Sequence, residues 1–365
     1  MFRFLAIPLL LAGLASPSLA EPLKLDRLET VIERGDLDEV TSVIVEQGGE
    51  IRYEKYFGKG GPDRLNDIRS AAKSITALAI GQAINEGSIS SVDAKPWTLF
   101  RPGDNRVREQ ITLRDLLTMS SVLDCNDWTP KSPGNEEKMY PKRIWRDFAL
   151  GIPIDGDYQR DRKGQGRFSY CTAGVFLLGQ YLQERSGIRF DRFVEQRLFA
   201  PLGIGNVKWK RSRSGEVQSG GQLEIRARDL VPLGRLVLDG GKHDGKQMVP
   251  AAWIDEMLTP HVRATATDDY GYLWWLKAFR DRERSLTGWY MSGNGGNKLV
   301  ILPEIDAVIV VTATNYNKPG MHQISNDIIE RAVLPALFAA EASQASDESV
   351  RTTPGATTPS ATTPE

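Results

Sequence analysis

The chain has 365 residues, of which 41% are hydrophobic and 25% are charged, a composition typical of a folded globular protein with one large or two small domains. Its 46 basic and 47 acidic residues nearly balance, and this balance gives no reason to expect nucleic acid or an anionic membrane as a partner.

The first 20 residues have the pattern of a secretory signal peptide. Arg3 precedes a largely apolar run at 4–15, and the small-residue site Ser18-Leu19-Ala20 predicts cleavage after Ala20. The apolar run is too short to hold the chain in a bilayer, and no later segment has about 18 uninterrupted apolar residues. We therefore expect a periplasmic or secreted protein without a stable membrane anchor.

The predicted folded domain, residues 21–340, opens with a short amphipathic helix that has Leu25, Leu28 and Ile32 on one side. Segments 43–45 and 51–57 then flank the turn sequence Gln47-Gly48-Gly49-Glu50. This arrangement predicts a β-hairpin near the start of the domain.

The next segment, 70–87, predicts a single buried helix that carries a nucleophile in its first turn. Apolar residues between 71 and 84 lie on nearly every side, as in a helix inside a domain, and Asn85-Glu86-Gly87 predicts its end. The three-residue spacing places Ser70 and Lys73 on one face. This is the only Ser-x-x-Lys sequence in the chain, although such a pair can also be an ordinary surface serine and lysine.

The chemical case for Ser70 and Lys73 depends on burial. A serine hydroxyl is a weak nucleophile unless a neighbouring base takes its proton. Lysine can act as that base only when neutral, and apolar surroundings disfavour its charged form. The N–H groups at the start of a helix would also stabilise an oxyanion. The pair therefore predicts nucleophilic catalysis if other parts of a site accompany it.

A mostly helical region follows, predicted as a lobe spanning about 88–265. Thr112 and Asp115 have capping-box spacing and begin one helix, and others are predicted at 173–185 and 227–238. Between 121 and 168, proline and glycine residues interrupt the helical pattern and predict a series of turns. A loop region of that length in a compact protein is usually functional.

The segment 168–174, where this loop region enters a helix, holds the second candidate site. Tyr170 could hydrogen-bond Ser70 and Lys73 and carry a proton to a leaving group, although a tyrosine is more often a packed core residue. The chain's two cysteines, Cys125 and Cys171, fall in this region. Export to an oxidising compartment favours a disulfide between them over two buried thiols.

Strands return near the C-terminus, at 272–276, 289–291, 298–302 and 307–313, followed by a closing helix at 324–337. Strands at both ends of the chain with helices between them predict an α+β fold, in which the two ends share one antiparallel sheet flanked by helices. Residues 341–365, rich in Ser, Thr, Ala and Pro, predict a disordered tail.

A third candidate site precedes the strand at 298–302. In the sequence Ser292-Gly293-Asn294-Gly295-Gly296-Asn297, the glycines would let the backbone approach a ligand and present an N–H to it. The same sequence is also compatible with a simple tight turn.

Taken together, these segments resemble the serine β-lactamase and penicillin-recognising family, in the branch that contains class C-like β-lactamases, serine esterases, D-amino-acid peptidases and 6-aminohexanoate-dimer hydrolases. Ser70-x-x-Lys73 resembles the first family motif, Tyr170-x-Thr172 the second, and Gly293-Asn294-Gly295 occupies the place of the third. The resemblance covers roughly residues 40–335 and implies the β-lactamase/transpeptidase-like fold.

The resemblance implies a role for each matched residue. Ser70 would be the acyl-enzyme nucleophile, and Lys73 and Tyr170 the acid-base pair, with the first base left open between them. The oxyanion hole would be formed by the N–H groups of Ser70 and Gly296. Residues expected to bind the substrate, a small ester, amide or peptide-like molecule, are Thr172, Gly293, Asn294 and Gly295.

Two departures from the family pattern narrow the substrate. The second motif of the family most often ends in Asn or Ser, so Thr172 keeps a hydroxyl but loses the amide that would hold a substrate carbonyl. Gly293 stands where β-lactamases and peptidases carry Lys or His. Lys298 is the nearest substitute for that charge. These departures favour an esterase or amide hydrolase over an efficient β-lactamase. The alternatives are a D-amino-acid carboxypeptidase or β-lactamase, or a penicillin-binding or sensor-type member with little turnover.

Other chemistries lack their sequence signals. No Gly-x-Ser-x-Gly sequence predicts an α/β-hydrolase, and no phosphate-binding glycine loop predicts a nucleotide. The three histidines, His243, His261 and His322, lack metal-ligand spacing. We therefore expect neither a metal nor a cofactor, and the sequence does not predict the oligomeric state.

Overall fold

The computed structural model describes residues 21–37, 39–156, 160–162 and 164–351, with only the backbone described for 344–351. The predicted signal peptide, 1–20, and the greater part of the predicted tail, 352–365, lie outside the described residues. No helix in the described ranges is long and apolar enough to cross a membrane.

Along the chain, most of the α-helices lie between the strands near the N-terminus and the strands near the C-terminus. They are α1 (Asp26–Glu33), α2 (Lys73–Asn85), α3 (Pro96–Phe100), α4 (Leu113–Leu117), α5 (Glu136–Met139), α6 (Trp145–Leu150), α7 (Thr172–Ser186), α8 (Phe190–Val194), α9 (Leu230–Leu238), α10 (Ala251–Met257), α11 (Met321–Ile328) and α12 (Leu334–Arg351). Short 3₁₀ turns occupy Arg69–Ala72, Arg108–Gln110, Ala227–Asp229 and Pro303–Ile305, and π-helical turns occupy Glu195–Phe199 and Ile329–Val333.

The strands form one large sheet and two small ones. They are β1 (Val40–Gln47), β2 (Glu50–Tyr56), β3 (Leu65–Asp67), β4 (Lys208–Trp209), β5 (Leu223–Arg226), β6 (Lys242–His243), β7 (Lys246–Gln247), β8 (Val262–Arg263), β9 (Asp269–Tyr270), β10 (Trp275–Arg280), β11 (Ser285–Gly293), β12 (Asn297–Leu302) and β13 (Ala307–Ala313). The large sheet has the order β2-β1-β13-β12-β11-β10-β9-β8, and β3, β5 and β4 form a separate sheet.

Every pairing in the large sheet is antiparallel, and β1 from the N-terminal part pairs with β13 from the C-terminal part. The predicted α+β fold, with one antiparallel sheet built from both chain ends, is therefore confirmed. The region predicted as a helical lobe, about 88–265, carries helices α3 to α10 together with the short strands β4 to β8.

Alternation along the strands separates two hydrophobic cores. On β12, Leu299 and Ile301 pack in the core that contains helices α2 and α7, while Val300 and Leu302 pack in the core beneath α1 and the C-terminal helices. The period of two between opposite faces is the geometry of a strand covered on both sides. The sheet therefore separates the two hydrophobic cores, and α2 lies on one side of it.

Helix α2 is as buried as its composition predicts, because every residue from Lys73 to Ala83 is buried. Its start differs from the prediction. Ser70 lies in the 3₁₀ turn Arg69–Ala72, and the α-helix begins only at Lys73. The reason is local: Arg69 has φ of 51°, and its N–H bonds the Asp67 carboxylate, so the chain bends sharply between β3 and the helix.

Two further boundaries differ from the sequence prediction. The apolar segment 272–276 is not one strand, because β9 ends at Tyr270 and Leu273, with φ of 58°, turns back so that its N–H bonds the Leu117 carbonyl. The final helix continues to Arg351, into the predicted disordered tail. Arg284 pairs with Glu341 at 3.0 Å, which ties the beginning of that segment to the sheet.

The predicted disulfide is confirmed. Cys125 and Cys171 are bonded, with their Cα atoms 5.4 Å apart, across a separation of 46 residues. The bond joins the Pro/Gly-rich loop to the N-terminus of α7, where the Cys171 sulfur also accepts the Gly174 N–H at 3.3 Å. The loop is thereby attached to the turn that carries Tyr170.

Replacing both cysteines, Cys125→Ser with Cys171→Ser, should lower the free energy of unfolding by about 2–4 kcal/mol, because the crosslink restricts the unfolded chain. Serine can still cap α7, so the loss should report the bond rather than the cap. Denaturant unfolding of the wild type and the double variant measures the difference. Coincident unfolding curves would contradict the prediction.

Candidate active site

Ser70 and Lys73 meet as their spacing predicts. The Lys73 amine donates to Ser70 Oγ at 2.9 Å and to the Gly220 carbonyl at 2.5 Å. The lysine is only 1% exposed, and the second contact comes from the loop that leads into β5. The amine is therefore held against the hydroxyl by a segment distant in the chain.

Burial lowers the pKa of Lys73, because an ammonium loses its hydration in these surroundings. The carboxylates of Asp127 and Glu136 act in the opposite direction and favour the charged form. The balance leaves an amine that can lose its proton more easily than an exposed lysine. Such an amine can accept the Ser70 proton.

Tyr170 reaches the same point from the start of α7. Its side chain shares a hydrogen bond with Ser70, and the Lys73 amine lies 4.9 Å from the centre of its ring. Burial raises the pKa of Tyr170, with smaller contributions from Glu136 and Asp127, so its hydroxyl keeps its proton. Ser70, Lys73 and Tyr170 therefore converge, as the sequence predicts.

Asp127 is a residue of this site that sequence reasoning missed. Its carboxylate accepts the N–H groups of Thr172 at 2.6 Å and of Glu136 at 2.8 Å, and its own N–H donates to the Tyr170 carbonyl at 2.8 Å. Burial and the Glu136 carboxylate raise the pKa of Asp127 to about 6, against the opposing effect of Lys73. The only sequence signal near Asp127 is its neighbour Cys125.

Thr172 was predicted to bind substrate, but the structure buries it completely. Its methyl group faces Gly220, where an added Cβ would lie 2.9 Å from Thr172 Cγ2. The residue thus packs beneath the loop whose Gly220 carbonyl accepts the Lys73 amine. In this structure Thr172 supports the site from behind instead of lining an open surface.

The third segment closes the hairpin between β11 and β12, where Gly293 pairs with Asn297. A Cβ on Gly293 would lie 1.9 Å from the Ile68 carbonyl oxygen and 3.1 Å from the Ala71 nitrogen. Only glycine fits there, because the end of β11 rests directly on the turn that holds Ser70. This contact places the backbone at Gly293 beside the turn that contains Ser70.

The remaining residues of the segment face elsewhere. Asn294 exchanges hydrogen bonds with Asn317, and an added Cβ on Gly295 would meet the Tyr316 ring at 2.7 Å. At Gly296 the corresponding position is 2.7 Å from the Met321 carbonyl oxygen. A side chain at Gly296, the predicted second oxyanion donor, would thus point to the start of α11.

Lys298 does not replace the missing charge of the third motif as an exposed group. It is 4% exposed, and its amine lies 4.7 Å from the Tyr290 ring centre and 3.4 Å from Ser292 Oγ. Burial lowers the pKa of Lys298 to about 7, and the nearby Lys277 adds to this effect. Among the residues described, no group of three or more His, Cys, Asp or Glu side chains could hold a metal ion.

Comparison with known proteins identifies one family along most of the chain. The Beta-lactamase family model matches residues 38–334. The 6-aminohexanoate-dimer hydrolase of Paenarthrobacter ureafaciens is 28% identical over 318 residues, which cover 80% of this chain and 78% of that protein.

Solved structures share the fold. A putative 6-aminohexanoate-dimer hydrolase from Bacillus anthracis superimposes with a TM-score of 0.66 at 19% identity, covering 85% of this chain and 82% of the other. A putative beta-lactamase from Bacteroides dorei gives 0.69 at 15% identity, covering 87% and 99%. With the family model matched over most of the length, the chain belongs to the Beta-lactamase family of serine hydrolases.

Proposed function

We propose that this protein is an exported hydrolase that cleaves a small ester or amide through an acyl-enzyme on Ser70. The observation that carries the proposal is the convergence of Ser70, Lys73 and Tyr170 from two distant segments, with the Lys73 amine 2.9 Å from Ser70 Oγ. Export rests on the signal-peptide pattern of residues 1–20.

In the proposed reaction, neutral Lys73 takes the proton of Ser70 as Oγ bonds to the substrate carbonyl carbon. Tyr170 then passes its proton to the leaving alcohol or amine as the bond from that carbon breaks, and the proton that Lys73 took from Ser70 replaces the one that Tyr170 gave. In the second half, water attacks the acyl carbon while neutral Lys73 takes one of its protons. A proton returns to Ser70 Oγ as its bond to that carbon breaks, which releases the acid and free Ser70. Lys73 is the favoured first base, because burial makes its amine easier to deprotonate while Tyr170 keeps its proton.

The oxyanion that forms during each attack requires backbone donors. The Ser70 N–H is one of them, and we assign the second to the backbone N–H that follows Gly293, in Asn294, in place of Gly296. The support is the close contact between Gly293 and the Ile68–Ala71 turn. Each such donor is worth about 3–4 kcal/mol of transition-state stabilisation in a serine hydrolase.

The substrate class follows from what surrounds the nucleophile. Gly293 leaves no room for the cationic side chain that would attract a β-lactam carboxylate, and Lys298 is turned into the protein. We therefore expect neutral esters or amides to be better substrates than β-lactams. The name of the Paenarthrobacter relative, a 6-aminohexanoate-dimer hydrolase, supports amides as one candidate class.

Replacing Ser70 with alanine should abolish hydrolysis of p-nitrophenyl acetate or butyrate, because the acyl-enzyme can no longer form. The folded state should persist, which thermal unfolding checks. Ser285→Ala makes the same change at an exposed position on β11 and should leave the rate unaltered. Full activity in Ser70→Ala would remove this residue from the mechanism. Labelling of Ser70 by penicillin without turnover would instead indicate a sensor-type protein.

Replacing Tyr170 with phenylalanine should lower kcat by about 10²–10⁴-fold, because the phenol is the proposed proton carrier and the ring remains to fill its place. Tyr181→Phe removes a hydroxyl further along α7 and serves as the control. Steady-state kinetics with a single ester measures both. A Tyr170→Phe rate within a few-fold of the wild type would contradict the role given to Tyr170.

Activity should rise with pH as Lys73 loses its proton, and Asp127→Asn should move this rise to lower pH. Above the Asp127 pKa of about 6 the carboxylate is ionised and favours charged Lys73, so removing it lowers the Lys73 pKa further. The pH profile of kcat/KM measures the shift. Glu137→Gln removes an exposed charge from α5, ten residues further along the chain, and should not move the profile. An unmoved profile in Asp127→Asn would contradict the prediction.

A further inference from the structure

The large apolar side chain with the greatest exposure among the described residues lies beside the catalytic tyrosine. Trp128 is 56% exposed, and its ring stacks on that of Tyr170 with 5.5 Å between centres and 7° between planes. Isolated apolar residues on a surface are common, but this one touches the proposed proton carrier. Its position calls for a reason connected with the site.

Two other aromatic rings complete the surroundings of Tyr170. Trp275, at the start of β10, stacks on Tyr170 with 5.9 Å between centres and 27° between planes. Phe168 lies 5.8 Å from both Trp128 and Trp275. Phe168 and Trp275 are both only partly buried. The proton carrier therefore lies among three aromatic side chains that retain exposed surface.

The backbone around Trp128 is held in place on both sides. Its N–H bonds Asn126 Oδ1 at 2.9 Å, the preceding residue Asp127 bonds the backbone at Tyr170 and Thr172, and Cys125 is crosslinked to Cys171. An aromatic side chain on a fixed backbone loses little entropy when a ligand stacks on it. The indole of Trp128 is thus held in place as a preorganised surface for a ligand.

A purely protective role explains this arrangement poorly. Tyr170 is already buried, whereas more than half of the Trp128 side chain remains in contact with water. Leaving an indole exposed forgoes the stabilisation that its burial would bring. A ligand ring placed against Trp128 would recover part of it.

We propose that Trp128, together with Phe168 and Trp275, forms a subsite that binds an aromatic leaving group of the substrate. The inference rests on the proposed function, in which Tyr170 gives its proton to the leaving alcohol or amine. A group that departs beside Tyr170 lies next to the ring that Tyr170 stacks on. The preferred substrates are then aryl or arylmethyl esters and amides of small acids.

The test compares two acetate esters whose alcohol groups differ in whether they contain an aromatic ring. Benzyl acetate and cyclohexylmethyl acetate have the same acyl group and similar size, but only the benzyl group has an aromatic face. The wild type should favour benzyl acetate in kcat/KM by roughly three- to tenfold, the range expected for one stacking contact. In Trp128→Leu the ratio should fall to about one, and Trp128→Phe should keep part of the preference.

Controls separate recognition from support of Tyr170. If Trp128 only positioned Tyr170, its loss would slow both esters equally, and the unchanged ratio would overturn the inference. Methyl phenylacetate and methyl cyclohexylacetate carry the ring on the acyl side, and Trp128→Leu should not alter their ratio. Trp209→Leu removes a partly buried tryptophan stacked on Phe199 and should leave both ratios as in the wild type.

The outcomes distinguish this inference from the proposed function. Ester turnover with an unchanged benzyl preference in Trp128→Leu would overturn the aromatic subsite and leave the hydrolase intact. Absence of ester and amide turnover in the wild type would overturn both.

Discussion

The burial of the Lys73 amine is the constraint on which the rest of the site depends. An ammonium without water is costly, so the surroundings must either neutralise it or surround it with acceptors. Lys73 has acceptors in Ser70 Oγ and the Gly220 carbonyl. The carboxylates of Asp127 and Glu136 also lie near enough to stabilise the charged form of its amine. The result is an amine whose proton affinity is set by opposing effects, as the proposed role of Lys73 as the base for Ser70 requires.

The loop that carries Asp127 is what brings Tyr170 to that base. Three chemically different contacts join the loop to the turn before α7: the disulfide between Cys125 and Cys171, the hydrogen bonds of Asp127, and the stacking of Trp128 on Tyr170. Each restricts the tyrosine in a different way. In the proposed reaction the phenol must reach both Ser70 and a leaving group, and it benefits from this restriction because misplacement by a fraction of an ångström weakens a hydrogen bond.

The third side of the site is a contact between backbones. The end of β11 rests on the Ile68–Ala71 turn at a distance that excludes any side chain at Gly293, and the bent conformation of Arg69 brings the turn to that place. A strand end that approaches so closely can offer N–H groups to an oxyanion. The same closeness removes the position from which a cationic side chain would select an acidic substrate, so the catalytic geometry and the proposed substrate preference share one cause.

Sequence alone determined the parts that depend on near neighbours. The spacing of Ser70 and Lys73, the burial of the helix that follows and the capping box at Thr112 and Asp115 could be read from local patterns. The antiparallel sheet from both chain ends followed from the order of predicted strands and helices along the chain. Only the tertiary structure decided that Ser70 lies in a 3₁₀ turn, that Thr172 is buried, and that the end of β11 at Gly293 rests on the Ile68–Ala71 turn. The same is true of the contacts that Asp127 makes with Thr172 and Trp128 with Tyr170. The physical reason is that periodicity and capping act over a few residues, whereas these contacts join segments far apart in the chain and are fixed by how closely their backbones pack.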